Sequence, residues 1–358
     1  LGLPTITINF KTLAETVLVR SARGILAVII QDDTEVTWTS KAYATIQEFQ
    51  ADAAAYDEDT TNYDDIARAF IAGPNQVLVV RVASTDDIDD ATAILDKLSY
   101  HWVCTNVAAF QSGLVTYVKA ANAASNFRKV KALVTGVTGA NDPHIVNAVN
   151  LSVTLENDSD VYMRCYLPRL GGILAACPID SSVTYAPLTD LKAADPVADV
   201  GTSIDAGNLV LYLEDEAIRI ARGVTTLVTP GANQNADMKK ISIVEAMDMI
   251  QEDIIRTWKN FYMGKVKNSA DNQALFVSDI LTYFKALAAQ AVLDPDSPLT
   301  AEIDVAAMRN AWEAAGTDVS DLSDAQVKRK TFRSYVYVTS TLRILDAMED
   351  LVMNITLQ

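Results

Sequence analysis

Two histidines, three cysteines and a scatter of carboxylates are the side chains from which this 358-residue chain could build acid–base, nucleophilic or metal chemistry. His101 and His144 stand in unrelated contexts, and neither has a neighbour at metal-ligand spacing, so packing or surface roles are expected of both. Cys104, Cys165 and Cys177 are odd in number and lack the paired spacing of a zinc or redox motif; they read as reduced core thiols of a protein made in a cytoplasm. Ser181-Ser182 has no local base to activate a hydroxyl. Gly136-Val137-Thr138-Gly139 follows a predicted strand and comes nearest to a phosphate-cradling loop. With only two glycines and neither Walker nor dinucleotide spacing, it reads as a simple loop. The acidic clusters at 57–59 and 86–90 lack the glycine and closing glutamate of a calcium loop, and read as solvated faces or helix starts. No catalytic, cofactor-binding or metal-binding residue is assigned, and no cofactor is expected.

The elements available to position any chemistry are those of a large globular chain. Half of the residues are hydrophobic and 21% are charged, which suits a compact fold of more than one packed unit. The formal charge of −17 argues against direct nucleic-acid binding, since phosphate contacts need basic surface. The acidic excess is read first as solubility and self-repulsion, and second as a means of tuning contact between copies. No basic-then-apolar leader opens the sequence at Leu1, and no run of about 18 apolar residues is present, so neither secretion nor direct membrane insertion is expected.

Along the chain the periodicity predicts a mixed α/β fold. Thr5-Ile6-Thr7-Ile8-Asn9-Phe10 alternates, with Ile6, Ile8 and Phe10 on one face, as a half-buried strand does. Residues 25–30 are continuously apolar, as in a strand covered on both faces. Strands at 76–82 and 130–135 alternate with helical stretches at 40–53, 62–72, 87–98 and 112–124, which predicts α/β layers. Strands at 208–213 and 218–224 flank a Glu214-Asp215-Glu216 hairpin turn. The clearest loop is 229–235, a natural unit boundary. Beyond it, Ile243, Met247, Ile250, Ile254, Trp258 and Phe261 mark one amphipathic helix, and Leu275 to Ala291 a second, with Asp271 as its cap. Leu351-Val352-Met353-Asn354-Ile355-Thr356-Leu357 alternates again, so both ends are predicted strands that need an edge to pair with, in the same chain or a neighbour.

One basic stretch stands against the acidic background: Lys328, Arg329, Lys330 and Arg333. It is either a solvated loop entering a strand at 335–338 or an electrostatic contact to a neighbouring copy or inner tube.

Several segments carry a resemblance. Gly2-Leu3-Pro4-Thr5-Ile6-Thr7-Ile8-Asn9-Phe10-Lys11 and Arg20-Ser21-Ala22-Arg23-Gly24-Ile25 are similar to the opening of contractile tail sheath proteins from phages and prophages of Gram-positive bacteria, and from diffocin-like bacteriocin particles. Ser182-Val183-Thr184-Tyr185, residues 216–224, Gly264-Lys265-Val266-Lys267-Asn268-Ser269 with Asp271-Asn272, and Leu345-Asp346-Ala347-Met348-Glu349-Asp350 agree in the same order. The chain departs at Thr331-Phe332-Arg333-Ser334, where relatives carry Asn-Thr-Gly-Ser, and at Ala176-Cys177, where they carry Gly-Thr.

The resemblance implies a non-enzymatic subunit that stacks as hexameric rings around an inner tail tube, bounded by baseplate and terminator proteins, in a virion or tail-like particle. It implies contraction without nucleotide, with rigid bodies joined by terminal arms that complete a shared β-sheet. The expected organisation is an N-terminal arm at 1–19, an α/β body at 20–230, a C-terminal sheath domain at 231–343 and an exchanged strand at 344–358. Residues 271–292 are favoured over 241–263 as the helix facing the tube. The alternatives are a non-contractile shell or surface-layer protein, and an α/β enzyme with a dispersed site.

Overall fold

The computed structural model describes residues 23–123 and 129–356. The predicted strand at Thr5 to Phe10 lies outside them. Two compact units are present, one including Asp253–Leu345 and the other formed by Ser21–Glu252 with Asp346–Gln358. They part between residues 252 and 253, inside a helix.

The larger unit is built on a seven-stranded sheet. Its strands are β1 (Ile25–Gln31), β2 (Ser40–Tyr43), β3 (Gln76–Val82), β4 (Trp102–Thr105), β5 (Lys131–Thr135), β6 (Ile145–Ala148) and β10 (Asn208–Leu209), in the order β10-β6-β5-β4-β1-β3-β2. All pairs are parallel except β2 with β3. The continuous apolar run of β1 follows from this position. Leu26, Val28 and Ile30 enter one core layer, and Ala27 and Ile29 enter the other. The first layer is closed by α2 (Asn62–Ala69) and α5 (Met163–Ala176), the second by α3 (Ile88–Leu95) and α4 (Gln111–Ala121). α5 lies so close to α2 that a Cβ on Gly172 would come within 2.2 Å of the Ala69 carbonyl oxygen.

The predicted helix at 40–53 is corrected. Residues 40–43 are the antiparallel edge strand β2, and only α1 (Ile46–Gln50) and a 3-10 turn at Ala53–Ala55 are helical. Edge pairing to β3 overrides local helical spacing there. A three-stranded sheet of β7 (Ser152–Leu155), β8 (Asp160–Tyr162) and β9 (Leu191–Ala194), the short helix α6 (Val200–Asp205), and the hairpin of β11 (Leu211–Glu214) and β12 (Ala217–Ile220) complete this unit. The hairpin turn falls where predicted, with Asp215 and Glu216 both at positive φ as such a tight turn requires. The strand predicted at 208–213 is broken between β10 and β11, and that at 218–224 ends at Ile220.

The first long helix is α7 (Ile241–Thr257), which runs on into a π turn at Trp258–Tyr262. In the smaller unit, α8 (Ala270–Ala289) is the second. Its cap is Ser269, not Asp271: the Ser269 hydroxyl accepts from the Asn272 amide, which leaves Asp271 in the first turn. Phe276, Ile280, Tyr283, Phe284 and Leu287 form its buried face. The unit closes with β13 (Thr300–Ile303), α9 (Val305–Ala314), α10 (Asp324–Arg329) and β14 (Val338–Thr341), β13 and β14 pairing antiparallel. The strand predicted at 335–338 therefore begins only at Val338. Before it, Phe332, Tyr335 and Tyr337 gather in an aromatic cluster with Trp312.

Candidate assembly site

Of the predicted terminal strands, Leu351, Val352, Met353, Asn354, Ile355 and Thr356 are described, and they form no strand in the single chain. Leu351, Val352, Met353 and Ile355 are 66–88% exposed. An alternating segment becomes a strand only against a ladder partner, and none lies in its own chain among the described residues. Leu357 lies outside them, as do Thr5, Ile6, Thr7, Ile8, Asn9 and Phe10.

Immediately before this exposed stretch the chain is pinned to the larger unit by charge. Glu349, whose side chain is only 4% exposed, accepts from the hydroxyls of Thr184 at 2.6 Å and Ser182 at 3.1 Å, and from the Lys240 ammonium at 2.8 Å. Lys240 also meets Asp346 at 2.5 Å, and Arg222 meets Asp350 at 2.5 Å. Shelter from water alone would raise the Glu349 carboxyl. Lys240 and the Thr184 and Ser182 hydroxyls outweigh it and hold the group below the usual glutamate range. The receiving loop is itself set from behind. The Gly223 amide donates to Thr184 Oγ1 at 3.0 Å, and a Cβ on Gly223 would come within 2.9 Å of Val183 Cγ2. Sequence reading singled out the 182–185, 216–224 and 345–350 segments without giving them a role, and the fold brings all three together. Only the run of three carboxylates within 346–350 hinted at a basic receptor elsewhere.

In the smaller unit the two-stranded sheet of β13 and β14 leaves one edge of each strand unpaired among the described residues, and Thr339, Ser340 and Thr341 are exposed. Of the basic stretch, Lys328 and Arg329 form the last turn of α10, Lys330 caps it and Arg333 lies in the turn beyond. Lys328 pairs with Glu302 at 3.1 Å. Lys330 lies 4.7 Å from the Trp312 ring, whose Nε1 donates to the Lys330 carbonyl at 3.0 Å. Arg333 takes a left-handed backbone and stacks on Phe332, and both it and Arg329 are exposed.

The residues of possible chemistry are held structurally. His144 Nε2 lies 3.1 Å from Asp248, and the Lys131 ammonium, itself buried, lies 2.7 Å from Asp248 and 3.2 Å from Glu245. Burial would raise the Asp248 carboxyl, but Lys131 and His144 hold it far below the ordinary range. Burial would lower His144, but Asp142 and Asp248 raise it. His101 Nδ1 accepts weakly from the Ile25 amide at 3.4 Å. Doubly wound sheets place ligands where strand order reverses, here at the carboxyl ends of β1 and β4. That crevice is filled from within: Asn62 donates to the Gln31 carbonyl and to Asp32, and Asn106 donates to Asn62 and Asp65, at 2.8–3.0 Å. Gly136 and Gly139 are both at positive φ in the loop that follows β5. In the 86–90 cluster, Asp87 and Asp90 form the capping box of α3. Among the described residues no group of His, Cys, Asp and Glu is set to hold a metal, and no helix is long and apolar enough to cross a membrane.

Comparison with known proteins bears on what such a chain is. Residues 233–358 match the family model for the phage tail sheath C-terminal domain. The tail sheath protein of Clostridium phage phiCD119 is 27% identical over 362 residues, covering 98% of both chains. The sheath tail protein of Desulfitobacterium hafniense superposes with a TM-score of 0.70 at 14% identity, over 84% of this chain and 94% of that one. The helical sheath of the anti-feeding prophage in its contracted state superposes with a TM-score of 0.72 at 10% identity, over 99% of both chains. The mixed α/β architecture read from the sequence is thus that of the solved sheath proteins, and residues 233–358 match the C-terminal domain of the phage tail sheath family.

Proposed function

We propose that the chain is the structural subunit of a contractile tail sheath, in a virion or tail-like particle. In this reading it polymerises as stacked hexameric rings around an inner tube, between a baseplate and a terminator, and performs no catalytic step. It would be made in the cytoplasm of a bacterial host. The observation that carries the reading is the match to a phage tail sheath protein along 98% of both chains. The unpaired apolar segment from Leu351 to Thr356 supports its mechanical part. An extended segment with alternating side chains adds to an open sheet edge, backbone hydrogen bonds giving affinity and alternate side chains giving register. The free edges of β13 and β14 in a neighbouring copy are the acceptors we favour, with residues 5–10 of another copy as the second donor. Eight residues reach roughly 25 Å as a strand, enough for a full ladder. A head-to-tail contact of this kind closes into rings or continues as a helix.

Removing residues 351–358, or residues 1–10, should leave a soluble folded body that does not polymerise, as seen by sedimentation and electron microscopy. Mixing the two truncated proteins should not restore long sheaths, because each junction needs both donors. Long contractible sheaths from either truncation would refute strand exchange. An unfolded product would mean that the segment belongs to the subunit's own core.

A further inference from the structure

The C-terminal segment divides at Glu349 and Asp350 into a part that is held and a part that is free. What holds it is almost purely ionic. Met348 is fully exposed and Leu345 is 38% exposed, so apolar burial contributes little around the contact. Among the three carboxylates, the Asp346 and Asp350 side chains are 42% and 74% exposed, whereas that of Glu349 is 4% exposed. Exposed ion pairs contribute little to holding a segment in place, so Glu349 dominates. Its receptor is assembled from the Ser182–Thr184 loop, the end of the β11–β12 hairpin at Arg222, and Lys240 just before α7. A Cβ at Gly223 would push that loop away.

We propose that Ser182, Thr184, Arg222 and Lys240 form a carboxylate clip that keeps residues 346–350 on their own subunit throughout assembly, so that the exchanged strand begins only at Leu351. The clip rests on the strand-exchange reading for what lies beyond Leu351, but not for its own contacts. It makes the arm a tether with a fixed root. Pull on the exchanged strand is delivered to the body through Glu349, and the free length between root and acceptor is set. The charged groups facing Glu349 are Lys240 and Arg222 from the receptor, and Asp346 and Asp350 from its own segment. The Glu349 carboxyl lies below its ordinary range, so the clip is intact at neutral pH and opens as pH falls through that depressed value.

Two measurements test this. In the full-length protein kept below its assembly concentration, protease digestion read by mass spectrometry should cut the wild type only beyond Leu351. Glu349→Ala should be cut within 346–350 at least about tenfold faster, the expected loss for a charge-assisted hydrogen bond, with the body's melting temperature nearly unchanged. Equal protection of 346–350 in both proteins would overturn the clip. Sheaths assembled from an equal mixture of isotopically light and heavy subunits should then be treated with a zero-length carbodiimide, which joins Lys240 to Asp346. Cross-linked peptides carrying a single label are expected; peptides of mixed label would mean that the clip is filled by a neighbour and would refute the proposal. Sheath formation by the 351–358 truncation would sink strand exchange while leaving both clip results standing, so the two failures are separable.

Discussion

Replacing Lys131 by methionine keeps the length of the side chain and removes one charge from a buried cluster. Lys131 opens β5, its side chain is 1% exposed, and its ammonium faces Asp248 at 2.7 Å and Glu245 at 3.2 Å. At an effective dielectric constant of about 20, each contact gives roughly 5 kcal/mol of attraction, most of it offset by the desolvation of three charges. Loss of the lysine leaves two sheltered carboxylates on one face of α7, with Arg23 still 2.5 Å from Glu245 and His144 still 3.1 Å from Asp248. Breaking such a cluster costs about 3–5 kcal/mol. For a unit of this size that corresponds to a fall of roughly 6–20 °C in melting temperature. The assay is urea and thermal unfolding of the monomer, followed by circular dichroism and by fluorescence, since the buried Trp102 ring lies 5.5 Å from the Lys131 ammonium. A companion variant, Lys131→Met with Asp248→Leu, should recover at least about half of the loss, because it removes a stranded charge along with its partner. The sign of the pH dependence follows from the same geometry. Asp248 and Glu245 are held low, so their contribution is present above the ordinary carboxylate range and is lost as pH falls through their depressed values. His144 is raised, so its contribution is full below pH ~6.5 and is lost as pH rises through its folded value. Without Lys131, which opposes its charging, His144 should titrate higher still by NMR. A stability loss below about 1 kcal/mol for Lys131→Met would refute the view that these charges are coupled in a dry interior.

Two further variants separate the body from the assembly. Changing Lys328, Arg329 and Lys330 to glutamate should weaken polymerisation or tube attachment in a pelleting assay while shifting the melting temperature little. The Lys328 pair is exposed, and the Lys330 stack on Trp312 contributes only about 0.5–1 kcal/mol. Normal particles from the triple variant would confine the stretch to its own chain. Gly172→Ala should destabilise the larger unit by about 1–3 kcal/mol in urea unfolding, because α2 and α5 must part to admit the methyl group; an unchanged midpoint would mean that this close approach is soft.

The parts of the fold that were legible in the sequence are those set by local period. The apolar run at 25–30 announced a strand covered on both faces, and the Glu214-Asp215-Glu216 junction announced its turn. The errors lie where a distant partner decides. Residues 40–43 became a strand because β3 offered an edge, and the approach to β14 was taken up by an aromatic cluster instead of a ladder. Ser269 took the cap of α8 because its hydroxyl reaches the Asn272 amide, one residue pair earlier than the carboxylate that drew attention. The assembly site was less legible again. Glu349 and Ser182 stand 167 residues apart, and no spacing rule links them. The basic stretch was noticed for its charge, yet Lys328 and Lys330 are engaged within the smaller unit, which leaves Arg329 and Arg333 as its exposed cations.

The distribution of these contacts bears on how a subunit that polymerises as proposed could move without coming apart. In the larger unit, alternate β1 side chains fill two core layers and are fully buried, and the carboxyl ends of β1 and β4 are locked by a closed set of amide and carboxylate hydrogen bonds. Such an interior resists deformation, because close-packed cores transmit strain instead of absorbing it. The C-terminal segment is the opposite: it gains little from apolar burial and hangs on one sheltered carboxylate. Contacts of that kind reorient about their root while they hold. In the polymer proposed above, such parts would let bodies turn about compliant arms while the arms hold.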